Sequence, residues 1–226
     1  AGLHEEAEAV FAAAVDRGLW HQATQRPRMV FWPGLRPFAD GFPRDELLPE
    51  VYQTVKAQVL RSMPELQQEL LRKYRDGLPG WRTAKHRSKR SVSQGRWQEY
   101  HIVGAEGFRP RELRTCAEAD FPLTCHVVAS FPPDAEVMRV ALTVVHPPQT
   151  EILPHHSGAQ GRMRLQCPLF LPTGALSSLR VSKERRDMVE GECVWFDESV
   201  EHSLSYRHPA EARVSLYIDV MQPGLR

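Results

Sequence analysis

The sequence has no long apolar run. Nowhere do about eighteen residues pass without polar or charged side chains, so no segment reads as a membrane-spanning helix. No basic-then-apolar leader opens the chain. It begins with Ala1 rather than Met, which reads as a processed or excised fragment, from which any targeting segment would be missing. Neither sign of charge dominates: 29 Lys and Arg stand against 28 Asp and Glu, and a net charge of +1 gives no footing for general nucleic-acid binding. There is no internal repeat and no low-complexity tract. Cysteine is scarce, and Cys116, Cys125, Cys167 and Cys193 form no CxxC pair, which argues against a zinc ribbon or a thioredoxin-like motif. Spacing alone leaves two readings of them open. Cys116 and Cys125 close a small disulfide loop around residues 119–122, or all four are free, partly buried thiols.

A chain of 226 residues holds one large domain, or one domain with a short extension. Residues 4–17 read as a helix rich in Ala and Glu, stopped by Gly18. Residues 20–44 hold four prolines and several aromatics and read as an extended segment draped over the body. Residues 45–75 return to helical spacing, with Leu47, Val51, Val55, Val59 and Met63 recurring every fourth position. Pro64 breaks or restarts that helix, and residues 77–80 end it. Residues 82–96, basic and serine-containing, read as a solvated loop, with a phosphate- or substrate-contacting loop as the alternative.

From Trp97 onward short β-rich runs take over: 97–103, 125–130, 137–146, 162–171, 177–182, 193–196, 201–206 and 212–220. That spacing predicts a mainly β fold with N-terminal helices, a double-stranded β-helix or jelly roll. Residues 1–80 are expected to pack as a helical and extended segment on a jelly-roll domain spanning 81–226, the two forming one structural unit.

Ten histidines are present, and a histidine in a strand-rich domain is ordinarily structural. His155 and His202 stand apart because each sits at a strand end. Iron(II) accepts neutral imidazole, and a site with few protein ligands leaves positions open for an oxo-acid and dioxygen. Such a site also needs a cation for the oxo-acid's far carboxylate, a task suited to the planar guanidinium of arginine. Arg164, nine residues after His155, and Arg213, eleven after His202, fit by position. Strand alternation puts Met163, Leu165, Cys167, Leu169 and Leu171 on one face of 162–171, and Arg162, Arg164, Gln166 and Phe170 on the other. That second face suits a polar barrel lumen; an ordinary exposed face is the plainer reading.

The segment from Ala141 to the C-terminus resembles the aspartyl/asparaginyl β-hydroxylase family. The matching stretches are ALTVVHP (141–147), LPHHSGAQGRMRL (153–165), EGECVWFDESVEHSLSY (190–206) and RVSLYIDVMQPGL (213–225). The family pattern runs His-x-Gly, Arg-x-Arg, an FDDSFEH-like segment, and an Arg that leads a hydrophobic strand closed by Asp-Val-x-x-Pro. A weaker match extends upstream through FPLTCHVVASFP (121–132).

The resemblance implies an iron(II)- and 2-oxoglutarate-dependent dioxygenase that hydroxylates an unactivated carbon, in the family the β-carbon of Asp or Asn in EGF-like domains. Some bacterial relatives hydroxylate lipid acyl chains instead. It further implies His155 and His202 as iron ligands, with His156 as the alternative to His155. Arg213 would pair with the 2-oxoglutarate carboxylate, and Arg164 and Thr143 match positions near the cosubstrate. Arg162 matches a contact to a substrate carboxylate. Glu198 stands where the family has an Asp just outside the metal's own ligands. Gln166 replaces a histidine that helps bind cosubstrate, and Ser157 stands where many oxygenases carry a carboxylate ligand, so a two-histidine site completed by water is expected. Cys125 matches one half of a disulfide in lumenal members and Cys116 lies near the other half. That pairing implies the endoplasmic reticulum lumen, reached through a missing N-terminal anchor, with the cytoplasm as the alternative. The implied partner is a protein substrate, with no nucleic acid and no membrane contact in this fragment. The rival readings are a jelly-roll binding module that has lost activity, motivated by Gln166 and the doubled histidine, and a cupin-like metalloenzyme that uses no 2-oxoglutarate.

Overall fold

A computed structural model describes residues 2–17, 42–43, 48–77, 81–83, 92–104, 115–156 and 162–221. Helix α1 spans Gly2–Asp16, α2 Glu50–Arg61, α3 Met63–Asp76 and α4 Pro122–Ala129. The short strands β1 (Arg82–Thr83) and β2 (Val92–Gln94) precede β3 (Trp97–Val103). Eight more follow: β4 (Val137–Val145), β5 (Gln149–His155), β6 (Arg162–Phe170), β7 (Leu176–Val181), β8 (Glu184–Asp187), β9 (Val194–Asp197), β10 (His202–Arg207) and β11 (Arg213–Met221).

Two antiparallel sheets face each other, six-stranded in the order β1-β3-β4-β11-β6-β9 and five-stranded in the order β2-β5-β10-β7-β8. From β4 to β11 the chain crosses between sheets after nearly every strand, pausing only for the β7–β8 hairpin. This is the double-stranded β-helix, or jelly roll, with helices from the N-terminal part.

The larger sheet is two-sided because its strands alternate. Met163, Leu165, Cys167 and Leu169 of β6 and Val214, Leu216, Ile218 and Val220 of β11 face outward. They form one core with Val51, Val55 and Val59 of α2 and Leu66 and Leu70 of α3. Each such buried side chain contributes roughly 1.5–3 kcal/mol. Gln67 Nε2 donates to the Leu169 carbonyl at 2.9 Å and ties α3 to β6. Ser62 separates α2 from α3, with Pro64 in the first turn of α3, and Gly77 ends α3 with a left-handed φ of 74°.

Several expectations need correction. Residues 125–130 are not a strand; they fall largely within α4, which begins at Pro122. Glu69 of α3 accepts hydrogen bonds from the Leu123 and Thr124 amides at 2.8 and 2.9 Å and so satisfies the helix N-terminus from a distant part of the chain. The basic stretch 82–96 is not wholly loop, since 82–83 pair with β3 and 92–94 with β5. β5 and β8 are strands that the apolar runs did not mark. Both cysteine pairs are disulfides, Cys116–Cys125 and Cys167–Cys193, which overturns the free-thiol reading and adds a pairing not foreseen. Of the extended segment at 20–44 only Phe42 and Pro43 are described, and Leu47, Ser157 and residues 84–91 lie outside the described residues.

Candidate metal and cosubstrate site

His155 closes β5 and His202 opens β10, and the two are direct partners across the antiparallel pair. Their ring centroids lie 4.3 Å apart. Nδ1 of His155 donates to the Leu153 carbonyl at 2.8 Å, and Nδ1 of His202 donates to the Val200 carbonyl at 2.8 Å. A carbonyl accepts only, so each bond fixes the tautomer with the proton on Nδ1 and the lone pair on Nε2. That is the arrangement a metal-ligating histidine needs. Burial lowers the His155 pKa, partly offset by its bond to Leu153, and favours the neutral, ligating form. His156, one residue on, does not line the pocket that the His155–His202 pair opens into. Among the described residues no group of three His, Cys, Asp or Glu side chains gathers.

The pocket beside the histidines is a cavity of about 20 Å³ lined by Gln166, Arg164, Tyr217, Trp97 and Phe196 among others. Gln166 Nε2 is buried and finds no acceptor. Strand alternation explains the lining, because Arg164 and Gln166 point from β6 into the lumen while their neighbours Leu165 and Cys167 join the outer core.

Arg164 is more constrained than its sequence position suggests. Its Nε and Nη2 donate to Asp219 at 2.7 and 2.9 Å, and Nη1 pairs with Glu198. Burial works against its charge, but Asp219 and Glu198 prevail and hold the guanidinium protonated. It stacks over the Tyr217 ring, 4.7 Å from the centroid. Arg162 reaches Glu198 at 2.5 Å from a partly exposed position. Glu198 is therefore buried between two arginines.

Arg213 lies deeper and is fully buried. Its Nε donates to Ser215 at 3.1 Å and its Nη1 to Ser177 at 2.7 Å, while Nη2 has no acceptor in hydrogen-bonding geometry. Burial lowers its pKa, opposed by the neighbouring Tyr217 and Tyr206 hydroxyls. Thr143 pairs with Ser215 across β4 and β11 and donates to its carbonyl at 3.3 Å. Gln166 Nε2, which lines the cavity, and Arg213 Nη2, which lies outside its lining, are both buried nitrogens without an acceptor, and each could donate to an anion.

Sequence reading passed over Asp219, Tyr217, Ser177 and Ser215. A signal for three of them was present: Arg213, Ser215, Tyr217 and Asp219 alternate through an otherwise apolar strand, the same pattern that marked β6.

A sequence profile described as Aspartyl/Asparaginyl beta-hydroxylase matches residues 61–223, more than two thirds of the chain. Aspartate beta-hydroxylase domain-containing protein 2 of Rattus norvegicus is 27% identical over 213 residues, covering 89% of this chain and 56% of the relative. Aspartyl/asparaginyl beta-hydroxylase of Homo sapiens is 27% identical over 106 residues, covering 46% of this chain and 14% of the relative. The chain thus spans about half the length of the first of these relatives and less of the second. Among solved structures, a Pseudomonas putida prolyl-4-hydroxylase aligns at a TM-score of 0.46 and 14% identity, covering 77% of this chain and 100% of that one. The profile covers β4 to β11 together with the His155–His202 pair, and by that match the chain belongs to the aspartyl/asparaginyl β-hydroxylase family.

Proposed function

We propose that the chain is an iron(II)- and 2-oxoglutarate-dependent dioxygenase that hydroxylates an unactivated carbon, with the β-carbon of Asp or Asn in a protein, such as an EGF-like domain, as substrate. One observation carries the reading: His155 and His202 face each other as strand partners, each with Nδ1 tied to a backbone carbonyl. Iron(II) and 2-oxoglutarate, when bound, supply the activation of dioxygen coupled to loss of carbon dioxide and release of succinate. The chain's own residues bind and orient. His155 and His202 hold the metal. Arg213, with Thr143 and Ser215 beside it, takes the far carboxylate of the oxo-acid, and Gln166 donates a further hydrogen bond. Arg162, partly exposed and paired with Glu198, meets the carboxylate of the substrate side chain, and Glu198 orders water near the metal. Two disulfides suit an oxidising compartment such as the endoplasmic reticulum lumen.

The test is anaerobic iron(II) binding followed by succinate formation on admitting oxygen, with an EGF-like domain as substrate. The wild type should do both, and the His155→Ala, His202→Ala double variant neither. A wild type that binds no metal would sink the reading. The small cavity and the full engagement of Arg164 favour a second reading, a binding module of the same fold without turnover; metal binding with no succinate from any protein or acyl substrate would select it.

A further inference from the structure

The cavity beside the histidine pair, about 20 Å³, has room for about one water molecule. A five-carbon diacid is several times larger, and Arg213 is not part of the lining, so an acid that bridges the histidines and Arg213 has to pass a side chain that separates them. Tyr217 is the residue that meets both ends. It lines the cavity with His155 and His202, and its hydroxyl lies beside the Arg213 guanidinium, which itself does not reach the cavity wall. Arg213 and Tyr217 are both on the lumen face of β11, and Tyr217 is the strand partner of Gln166, whose Nε2 lacks an acceptor. The ring is rigid and pinned, with the Arg164 guanidinium stacked on it and Arg164 in turn fixed by Asp219 and Glu198.

We infer that Tyr217 is the specificity-determining residue of the oxo-acid site, a ring standing between the histidine pair and Arg213 that limits the length of 2-oxo acid the site accepts. This rests on the function proposed above and adds that the deep arginine is reached only past Tyr217. A ring displaced on every binding event costs the strain and lost packing of an overfilled site, so a smaller or more pliable side chain binds the longer acids more tightly. The phenol hydroxyl is not the barrier, and Tyr217→Phe keeps it in place.

The experiment measures binding of oxaloacetate, 2-oxoglutarate and 2-oxoadipate to the manganese(II)-loaded protein by calorimetry, without turnover. Tyr217→Leu should tighten 2-oxoglutarate by about tenfold and 2-oxoadipate by more, leave oxaloacetate nearly unchanged, and leave manganese affinity unaltered. Tyr217→Met, of similar bulk but flexible, should move the same way and carries the test if the leucine variant does not fold. Unchanged or weaker binding of the longer acids in a folded variant would overturn the inference while leaving the proposed function standing. Failure of all three acids to bind wild type and variants alike, with manganese bound, would overturn both.

Discussion

Asp219 receives both Nε and Nη2 of Arg164, at 2.7 and 2.9 Å, and Nε of Arg139 at 2.9 Å from the strand on its other side. All of the Asp219 carboxylate is buried. Register explains the convergence, since Asp219 is the direct partner of Arg139 on β4 and of Arg164 on β6. Asp219→Asn would leave two buried guanidinium groups short of charge. We expect a loss of about 3–5 kcal/mol in urea unfolding, far more than a surface ion pair gives. A loss under about 1 kcal/mol would show that solvent reaches the cluster.

The same cluster sets the acid limit of stability. Burial opposes ionisation of Glu99, but Arg139 and His101 beside it prevail and hold its carboxyl down at about 2. Asp219 is likewise held well below the carboxylate range against its burial, by Arg139 and Arg164. A depressed carboxyl contributes stability that is complete above the unfolded value, 4.5 for Glu99, and drains away as pH falls toward 2. Unfolding free energies from urea titrations between pH 6 and pH 2 should therefore fall steeply below about pH 4.5, by on the order of a few kcal/mol in total, with the midpoints falling alongside, and Glu99→Gln should flatten that slope. A wild-type midpoint that stays level over that range would contradict it.

The jelly roll, the polar face of β6 and the two histidines were legible because each writes a local pattern: strand alternation, or a motif at fixed spacing. What was not legible depends on partners far along the chain. Val127 and Val128 read as strand residues, yet α4 forms because Pro122 starts it and Glu69 satisfies its first amides. β5 carries Glu151 and Pro154, which hide a strand that pairs with β2 and β10. Arg164 was placed by motif spacing, and nothing local to it reveals its bond to Asp219, 55 residues away. Cys167 and Cys193 sit one step beyond the Gln166–Val194 pair of β6 and β9, a register that no spacing in the sequence discloses.

Cys167–Cys193 closes a separation of 26 residues and is buried at both ends. Cys167→Ala with Cys193→Ala should cost about 3 kcal/mol in thermal or urea unfolding. Intact mass after alkylation without reductant should show no modified cysteine in the wild type. Four alkylated cysteines in native protein would contradict both pairings.

Arg213, the cation assigned to the far carboxylate in the proposed function, is buried with one nitrogen lacking an acceptor. Arg213→Ala should weaken 2-oxoglutarate by about 10- to 100-fold while manganese binding persists. Turnover left intact by that substitution would favour a metalloenzyme that uses no 2-oxoglutarate.

The central claim is that His155 and His202 form one metal site. Anaerobic titration of the wild type with iron(II), against His155→Ala, His202→Ala and His156→Ala, tests it most directly. The account predicts one equivalent bound by the wild type and by His156→Ala, and binding abolished in each of the other two variants. Binding lost in His156→Ala and kept in His155→Ala would contradict it.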